Sequence, residues 1–126
     1  MKKTVYYHDT DCGGVVYYAN YLKYFEEART EFFAAKKLSI KELADSGTLF
    51  VVARQEIDYK APAAYGDILE IKTSIGEIGA AKIVFLHETI NQSNKLLNNA
   101  KTVLVCVGRD LKPQAIPENI RSKISA

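Results

Sequence analysis

Two aspartates, a glycine pair and the start of a long apolar segment follow one another within the first twenty or so residues. Asp9 and Asp11 come just after a predicted strand, and Gly13 and Gly14 follow them. A carboxylate near the start of a helix can act as a nucleophile or as a general base. The unpaired N–H groups of that helix end can hold a developing oxyanion, and glycines let a substrate approach the backbone closely.

The same residues also have a purely structural interpretation. Asp and Gly are common turn residues, so Asp9 and Asp11 fit an Asx turn or a helix N-cap, and the glycine pair fits a tight turn. The residue types by themselves favour this interpretation over a catalytic one, because such turns are frequent in proteins of every function.

The apolar segment after the glycines predicts a largely buried helix over Asn20–Lys37. At about 100° per residue its apolar side chains cover about half of the circumference. The centre of that arc is formed by Tyr21, Phe25, Ala28, Phe32 and Ala35. Ser39 with Glu42 three residues later makes a capping-box pattern, which predicts a second, short helix over Ile40–Asp45.

Strands are predicted for most of the remaining chain. Val5–Tyr7 predicts a short first strand, and β-branched or alternating segments predict four more at Leu49–Tyr59, Ile68–Ile75, Lys82–Ile90 and Leu96–Val107. The Asn91–Asn94 tract predicts a hairpin loop, and Pro117 fits the first turn of a short final helix. Helices followed by strands that short loops connect predict an α+β domain with an antiparallel sheet around the long helix.

Length and composition limit the protein to one domain over residues 1–126. The chain is 48% hydrophobic and 25% charged, close to the globular norm, and has no room for a separate cofactor domain. A net charge of +2, with no basic run longer than a lysine pair, argues against nucleic-acid binding. No apolar stretch reaches the roughly 20 residues of a transmembrane helix. Two distant cysteines without a signal peptide predict a reduced, cytoplasmic protein.

The segment Tyr6–Tyr24 resembles the active-site signature of the 4-hydroxybenzoyl-CoA thioesterase-like family, nearest its YbgC-like branch. The matching residues read Asp-Thr-Asp-x-Gly-Gly-Val-Val-Tyr-x-Ala-Asn-Tyr-Leu. The segments Phe25–Glu31, Asp58–Asp67 and Lys112–Pro117 match as well, so the resemblance covers essentially the whole chain. It implies the hotdog fold, in which an antiparallel sheet of about five strands wraps one long helix.

The resemblance implies hydrolysis of an acyl-CoA thioester without a metal or any other cofactor. The catalytic carboxylate of the family is the second Asp of Asp-x-Asp, which is Asp11 here, and it either attacks the thioester carbonyl or activates a water. The backbone N–H that polarises the carbonyl is that of Tyr18. The remaining substrate contacts, which include cations for the CoA phosphates, are expected at Gly14, Val15, Tyr17, Lys60 and Lys82.

Two positions depart from the family pattern. The branch usually has His where this chain has Tyr18, and often an acidic residue where it has His8. His8 is interpreted as an exposed or hydrogen-bonded structural residue. Glu26 lies where another hotdog lineage has its catalytic carboxylate, but an ion pair with Arg29 three residues later is the favoured interpretation. A metal site formed by His8, Asp9, Asp11 and Cys12 is disfavoured, because consecutive residues rarely close a tetrahedral shell.

Three functional hypotheses remain open. The first is the acyl-CoA thioesterase, and the second is a non-catalytic module that binds acyl-CoA or an acyl carrier protein, which Tyr18 in place of His slightly favours. The third is a hotdog hydratase, disfavoured because neither His8 nor His87 sits in the His–acid pattern such enzymes need. Hotdog domains typically build their pocket between subunits, so a homodimer or homotetramer is expected, with aromatic side chains at the shared boundary.

Overall fold

The computed structural model describes residues 1–125. Its elements, in chain order, are β1 (Lys2–Thr4), a 3₁₀ turn (Tyr7–Asp9), α1 (Asn20–Ala35), α2 (Ile40–Asp45), β2 (Leu49–Tyr59), β3 (Ile68–Ile78), β4 (Lys82–Ile90), β5 (Leu96–Val107) and α3 (Glu118–Ser125). Ala126, the last residue of the predicted domain, lies outside the described residues. No helix of the described part is long and apolar enough to cross a membrane.

The five strands form one antiparallel sheet in the order β1-β3-β4-β5-β2. β1 and β2 lie at opposite edges although they are consecutive strands in the chain, and α1 and α2 connect them. The β4–β5 hairpin is closed where the Asn91 N–H donates to the Lys95 carbonyl at 3.0 Å, and Asn94 adopts a positive φ of 62° that Asn tolerates. The predicted α+β class and the predicted hairpin loop are therefore confirmed.

Helix α1 packs against the inner face of the sheet, and the core divides into two apolar clusters along it. The first surrounds Tyr21, Tyr24 and Phe25 together with β3 residues, and the second surrounds Phe33 together with Phe85 and the inner face of α3. The buried face of α1 differs from the predicted arc in its last turns. Phe33 is buried there and Ala35 is exposed, because α3 and β4 cover only one side of the helix end.

Most predicted boundaries agree with the structure. The predicted bounds of α2, β2, β4 and β5 match those observed, and β3 continues three residues further, to Ile78. The predicted N-cap is confirmed, since the Glu42 N–H donates to Ser39 Oγ at 3.2 Å. Helix α1 ends at Ala35 rather than Lys37, because Lys37 takes a left-handed φ of 61° that terminates a helix.

The predicted first strand, Val5–Tyr7, is wrong. β1 is Lys2–Thr4, and it pairs with Ile68–Glu70 of β3. Beyond it the Asp9 carboxylate accepts the Tyr6 N–H at 2.8 Å, and the Asp9 N–H donates to the Tyr6 carbonyl at 3.0 Å. This pair of local hydrogen bonds competes with strand pairing and bends the chain into the 3₁₀ turn.

Candidate active site

Asp11 lies in an exposed turn that its own carboxylate helps to hold. The Gly13 N–H donates to Asp11 Oδ1 at 2.8 Å, and the Gly14 N–H donates to the Asp11 carbonyl at 3.0 Å. Within residues 1–125, Asp11 Oδ2 accepts no hydrogen bond. The turn interpretation of this aspartate is therefore correct, and it leaves one carboxylate oxygen facing solvent and available for chemistry.

The two glycines allow this geometry for different reasons. A Cβ on Gly13 would lie 3.1 Å from Asp11 Oδ1, so a side chain there would crowd the carboxylate. Gly14 has a φ of +79°, which side chains disfavour, and no atom lies within 4 Å of the position its Cβ would take. The backbone at Gly14 therefore borders open space beside Asp11.

Asp9 has a structural role in the same loop. It is buried, its Oδ2 accepts the Tyr6 N–H at 2.8 Å, and His8 Nδ1 lies 3.9 Å from its Oδ1. The Asp9 carbonyl accepts both the Tyr17 N–H at 2.9 Å and Asn20 Nδ2 at 2.8 Å. Asp9 and Asn20 thus fix the loop to the first residue of α1. Sequence reasoning did not identify Asn20, although its place beside the predicted helix start was a signal.

The loop folds back so that its two ends meet. A β-bridge joins Thr10 to Val16, and a second one joins Val15 to Ala64 after β2. As a result, Asp11 and Tyr17 lie next to each other in the folded loop. The pKa of the Tyr17 phenol is raised, chiefly by a hydrogen bond with the Tyr18 side chain and in smaller part by the negative charge of Asp11.

Tyr18 precedes α1 and presents an unpartnered N–H. Among the described residues this N–H donates no hydrogen bond, and Ala19 and Asn20 follow it directly as the N-cap and first residue of the helix. The positive end of the helix dipole is therefore close by. The Tyr18 carbonyl accepts the Tyr59 hydroxyl at 2.9 Å, which ties the turn to the end of β2.

A pocket of about 320 Å³ opens beside this turn. Val15, Tyr18 and Lys60 line it together with Tyr21 and Tyr59. The Tyr59 ring lies 6.5 Å from the Tyr18 ring and 5.9 Å from the Tyr21 ring, so three tyrosines form one wall. Sequence reasoning did not select Tyr59, although it lies inside the matching segment Asp58–Asp67.

The structure brings most of the predicted site residues together. Gly14, Val15, Tyr17 and Lys60 all lie in or beside the Asp11 loop and its pocket. Lys82 does not join them. It begins β4, whereas the pocket adjoins the opposite end of the sheet, and its Nζ lies 3.7 Å from Glu77 Oε2. A phosphate contact at Lys82 stays a prediction.

Other candidate groups have structural surroundings. His8 is exposed and its ring stacks on Tyr6. His87 is buried, its Nδ1 lies 3.1 Å from Thr73 Oγ1, and burial with the nearby Arg29 charge lowers its pKa to about 3. The predicted Glu26–Arg29 ion pair is not formed among the described residues. In residues 1–125 no group of three His, Cys, Asp or Glu side chains converges as metal ligands would.

Comparison with known proteins establishes the family of this chain. The family model described as the Thioesterase-like superfamily matches residues 5–124. The chain belongs to this superfamily. The resemblance drawn from the sequence motif and the hotdog fold it implied are thereby confirmed.

Relatives in the superfamily share substantial identity with this chain. An Escherichia coli O6:H1 protein named acyl-CoA thioester hydrolase YbgC is 42% identical over 117 residues, which cover 92% of this chain and 87% of the relative. A Helicobacter pylori protein named acyl-CoA thioesterase YbgC is 36% identical over 135 residues, covering 100% of this chain and 99% of the relative. A solved 1,4-dihydroxy-2-naphthoyl-CoA thioesterase from Synechocystis superimposes with a TM-score of 0.92 at 27% identity, covering 99% of this chain and 93% of the other.

Proposed function

We propose that this protein hydrolyses the thioester bond of an acyl-CoA, with Asp11 as the catalytic carboxylate and the Tyr18 N–H as the oxyanion contact. The observation that supports the site assignment is that the one loop leading into α1 carries both a partly free carboxylate, at Asp11, and an N–H without a partner among the described residues, at Tyr18. The named activities of the superfamily relatives support the reaction class.

Asp11 acts in one of two ways. As a nucleophile, its free oxygen attacks the carbonyl carbon, the C–S bond breaks, CoA leaves as the thiolate, and water then hydrolyses the mixed anhydride. As a general base, it takes a proton from a water that attacks the same carbon. Either path develops negative charge on the carbonyl oxygen, and both release a free acid and CoA.

The Tyr18 N–H stabilises that negative charge. A backbone donor that no carbonyl of residues 1–125 already occupies is available to the oxyanion, and the start of α1 adds the positive end of its dipole. One such donor typically contributes a factor of about 10²–10³ to the rate. Because the peptide N–H does this work, tyrosine in place of the branch's usual histidine does not remove it.

We place the part of the substrate next to the thioester in the pocket beside Tyr18. Its three-tyrosine wall offers apolar ring surface with polar tips. Lys60 lies at the same pocket and supplies a cation for a CoA phosphate. An acyl group carried by an acyl carrier protein is the alternative substrate, because few cations gather around the site.

A binding module without catalysis is the second candidate function. The observation that favours it is the Tyr18 side chain, which is 62% exposed and lies 4.9 Å from the Tyr17 ring, where the branch usually has an imidazole. Such a module would bind acyl-CoA tightly and release no thiol.

The test is thiol release from a panel of short, long and aromatic acyl-CoAs, together with an Asp11→Asn variant. We expect turnover by the natural chain and a loss of at least about 10³-fold in the variant, because the amide is neither nucleophile nor base. Asp45→Asn, which changes an exposed carboxylate of α2, is the matched control and should retain activity. Undiminished turnover by Asp11→Asn contradicts the assigned mechanism, and tight binding without turnover selects the binding module.

A further inference from the structure

The carboxylate of Asp67, which takes no part in the mechanism proposed above, links two segments that are distant in the sequence. Its Oδ2 accepts the Ala64 N–H at 2.9 Å, and its Oδ1 accepts a hydrogen bond from Gln92 Nε2 at 2.9 Å. The amide oxygen of Gln92 in turn accepts the Ile68 N–H at 3.0 Å. The Asp67–Gln92 pair therefore joins the β2–β3 connection, residues 60–67, to the loop of the β4–β5 hairpin.

The residue types fit this link in one orientation only. A backbone N–H can only donate and an ionised carboxylate can only accept, so the Gln92 amide must present its oxygen to Ile68 and its nitrogen to Asp67. Each oxygen of the Asp67 carboxylate receives one donor. An amide at position 67 would place its own N–H group against one of those two donors. The link therefore depends on the carboxylate and not only on the shape of the side chain.

The hairpin loop that carries Gln92 is itself held in place by a side chain. Asn91 Oδ1 accepts the N–H groups of both Ser93 and Lys95 at 3.0 Å. These hydrogen bonds fix the backbone on either side of the loop, so Gln92 extends from a defined position. The loop can therefore serve as a rigid support for the residues that Gln92 contacts.

The β2–β3 connection in turn supports the Asp11 loop. The Ala63 carbonyl accepts the Val16 N–H at 2.8 Å, and Ala64 forms a β-bridge with Val15. The Val15 carbonyl then accepts the Asp11 N–H at 2.9 Å. A displacement of Ala64 would therefore be transmitted through Val15 to the backbone of Asp11.

We propose that Asp67 is a positioning residue for Asp11. Its hydrogen bonds to Ala64 and Gln92 hold the β2–β3 connection against the hairpin loop, and the connection holds the Asp11 loop. The proposal rests on the hydrolytic role of Asp11 proposed above, but the rigidity that it assigns to the loop is measurable without substrate. A residue that only stabilised the fold would change the fraction of folded protein and leave kcat of the folded enzyme unaltered.

Three variants test the link through its hydrogen-bond pattern. Asp67→Asn turns an amide N–H group toward another donor, and Gln92→Glu brings two carboxylates together. In the double variant Asp67→Asn/Gln92→Glu every donor of the link faces an acceptor again, because the amide and the carboxylate have exchanged places. The double variant also keeps the net charge of the natural chain.

We expect each single variant to lower kcat at least about tenfold, the value of one charge-assisted hydrogen bond, with a smaller change in KM. The double variant should recover kcat to within about threefold of the natural chain, because the two positions are directly coupled. Steady-state thiol release measures this at a temperature at which circular dichroism shows every variant to be folded. Asp110→Asn, which changes an exposed loop carboxylate that accepts the Lys112 N–H at 3.1 Å, is the matched control and should keep both constants.

Amide hydrogen exchange followed by NMR tests the link without turnover. Rates are taken relative to that of the Phe85 N–H, which lies in the buried central strand β4 and reports global unfolding. We expect the Asp11 and Val16 N–H groups to exchange at least about tenfold faster in each single variant, and at the natural rate in the double variant. If either single variant does not fold, Gln92→Ala removes the exposed partner alone and should show the same faster exchange.

Failure of this proposal and failure of the proposed hydrolysis give different results. Absence of thiol release by the natural chain would contradict hydrolysis, and hydrogen exchange would still decide whether the link holds the Asp11 loop. Two results would overturn the positioning role. One is unchanged kcat and unchanged relative exchange of Asp11 and Val16 in the single variants, and the other is a double variant that recovers in neither measurement.

Discussion

At the scale of single residues, two aspartates two positions apart have opposite surroundings. Asp9 is buried and holds the loop to α1 through its carboxylate and carbonyl oxygens, whereas Asp11 is exposed with one free carboxylate oxygen. The residue types alone could not separate these roles, because both aspartates fit a turn. The difference arises because the chain bends at the 3₁₀ turn and directs Asp9 inward.

Tyr59 is expected to position the oxyanion turn. Its hydroxyl donates to the Tyr18 carbonyl at 2.9 Å, and burial raises its pKa, so it remains a donor in mildly alkaline buffers. We expect Tyr59→Phe to lower kcat by about tenfold, the value of one hydrogen bond, with a smaller change in KM. Steady-state kinetics on the best acyl-CoA of the panel measure this.

The control for Tyr59 is Tyr65→Phe, which changes an exposed tyrosine of the β2–β3 connection. It should leave both kinetic constants unchanged. An unaltered kcat in Tyr59→Phe would show that the turn keeps its geometry without the hydroxyl.

Gly13 is expected to be needed for the Asp11 carboxylate to keep its place. A Cβ at this position would lie 3.1 Å from Asp11 Oδ1, so Gly13→Ala must displace the carboxylate or its turn. We expect a clear fall in kcat with a change in the free energy of unfolding below about 1 kcal/mol, because the position is exposed. Kinetics and urea unfolding of the same sample separate the two effects, and an unaffected kcat would argue against a fixed carboxylate.

At the scale of the elements, the sheet determines where the site can be. Tyr59, Asn98 and Thr89 are cross-strand neighbours on β2, β5 and β4, so they form one row across the sheet, and Tyr59 at its end lines the candidate pocket. The site lies at this end of the sheet, and Lys82 at the start of β4 lies at the other. The alternating and β-branched patterns predicted the strands well, but pairing between strands distant in sequence decided which ends came together.

Strand β4 carries a buried histidine that should make stability depend on pH. The ordinary pKa of His87 is 6.5 in the unfolded chain, but about 3 in the folded protein because of burial and the Arg29 charge. Between these values the unfolded state binds the extra proton, so the free energy of unfolding falls as pH decreases from 6.5 toward 3.

Urea unfolding at pH 7 and pH 5 measures this dependence. His87→Phe keeps a ring against Phe25. We expect the free energy of unfolding of this variant to fall much less between pH 7 and pH 5 than that of the natural chain. An identical decrease in both proteins would assign the pH dependence to other groups.

At the scale of the whole molecule, one chain leaves its candidate site uncovered. Asp11 is exposed, Tyr18 is 62% exposed, and the pocket of about 320 Å³ is open beside them. Electrostatic stabilisation of an oxyanion is most effective where water is excluded. A second copy of the chain would supply that cover, as the length of a single small domain already suggested.

We therefore expect a homodimer or homotetramer in solution, with activity that falls when dilution dissociates it. Light scattering coupled to size-exclusion chromatography gives the mass, and activity measured across a dilution series gives the dependence. A monomer with full activity at every concentration would contradict the expectation.

Local patterns in the sequence determined the elements of this protein. The bounds of β2, β4 and β5, the Ser39 cap and the loop before α1 follow from periodicity and turn chemistry, which act over a few residues. Only the tertiary structure decided the rest: that β1 precedes the turn at Asp9, that the Tyr59 hydroxyl donates to the Tyr18 carbonyl, and that Arg29 is buried. These features depend on contacts between residues far apart in the chain, which no local pattern encodes.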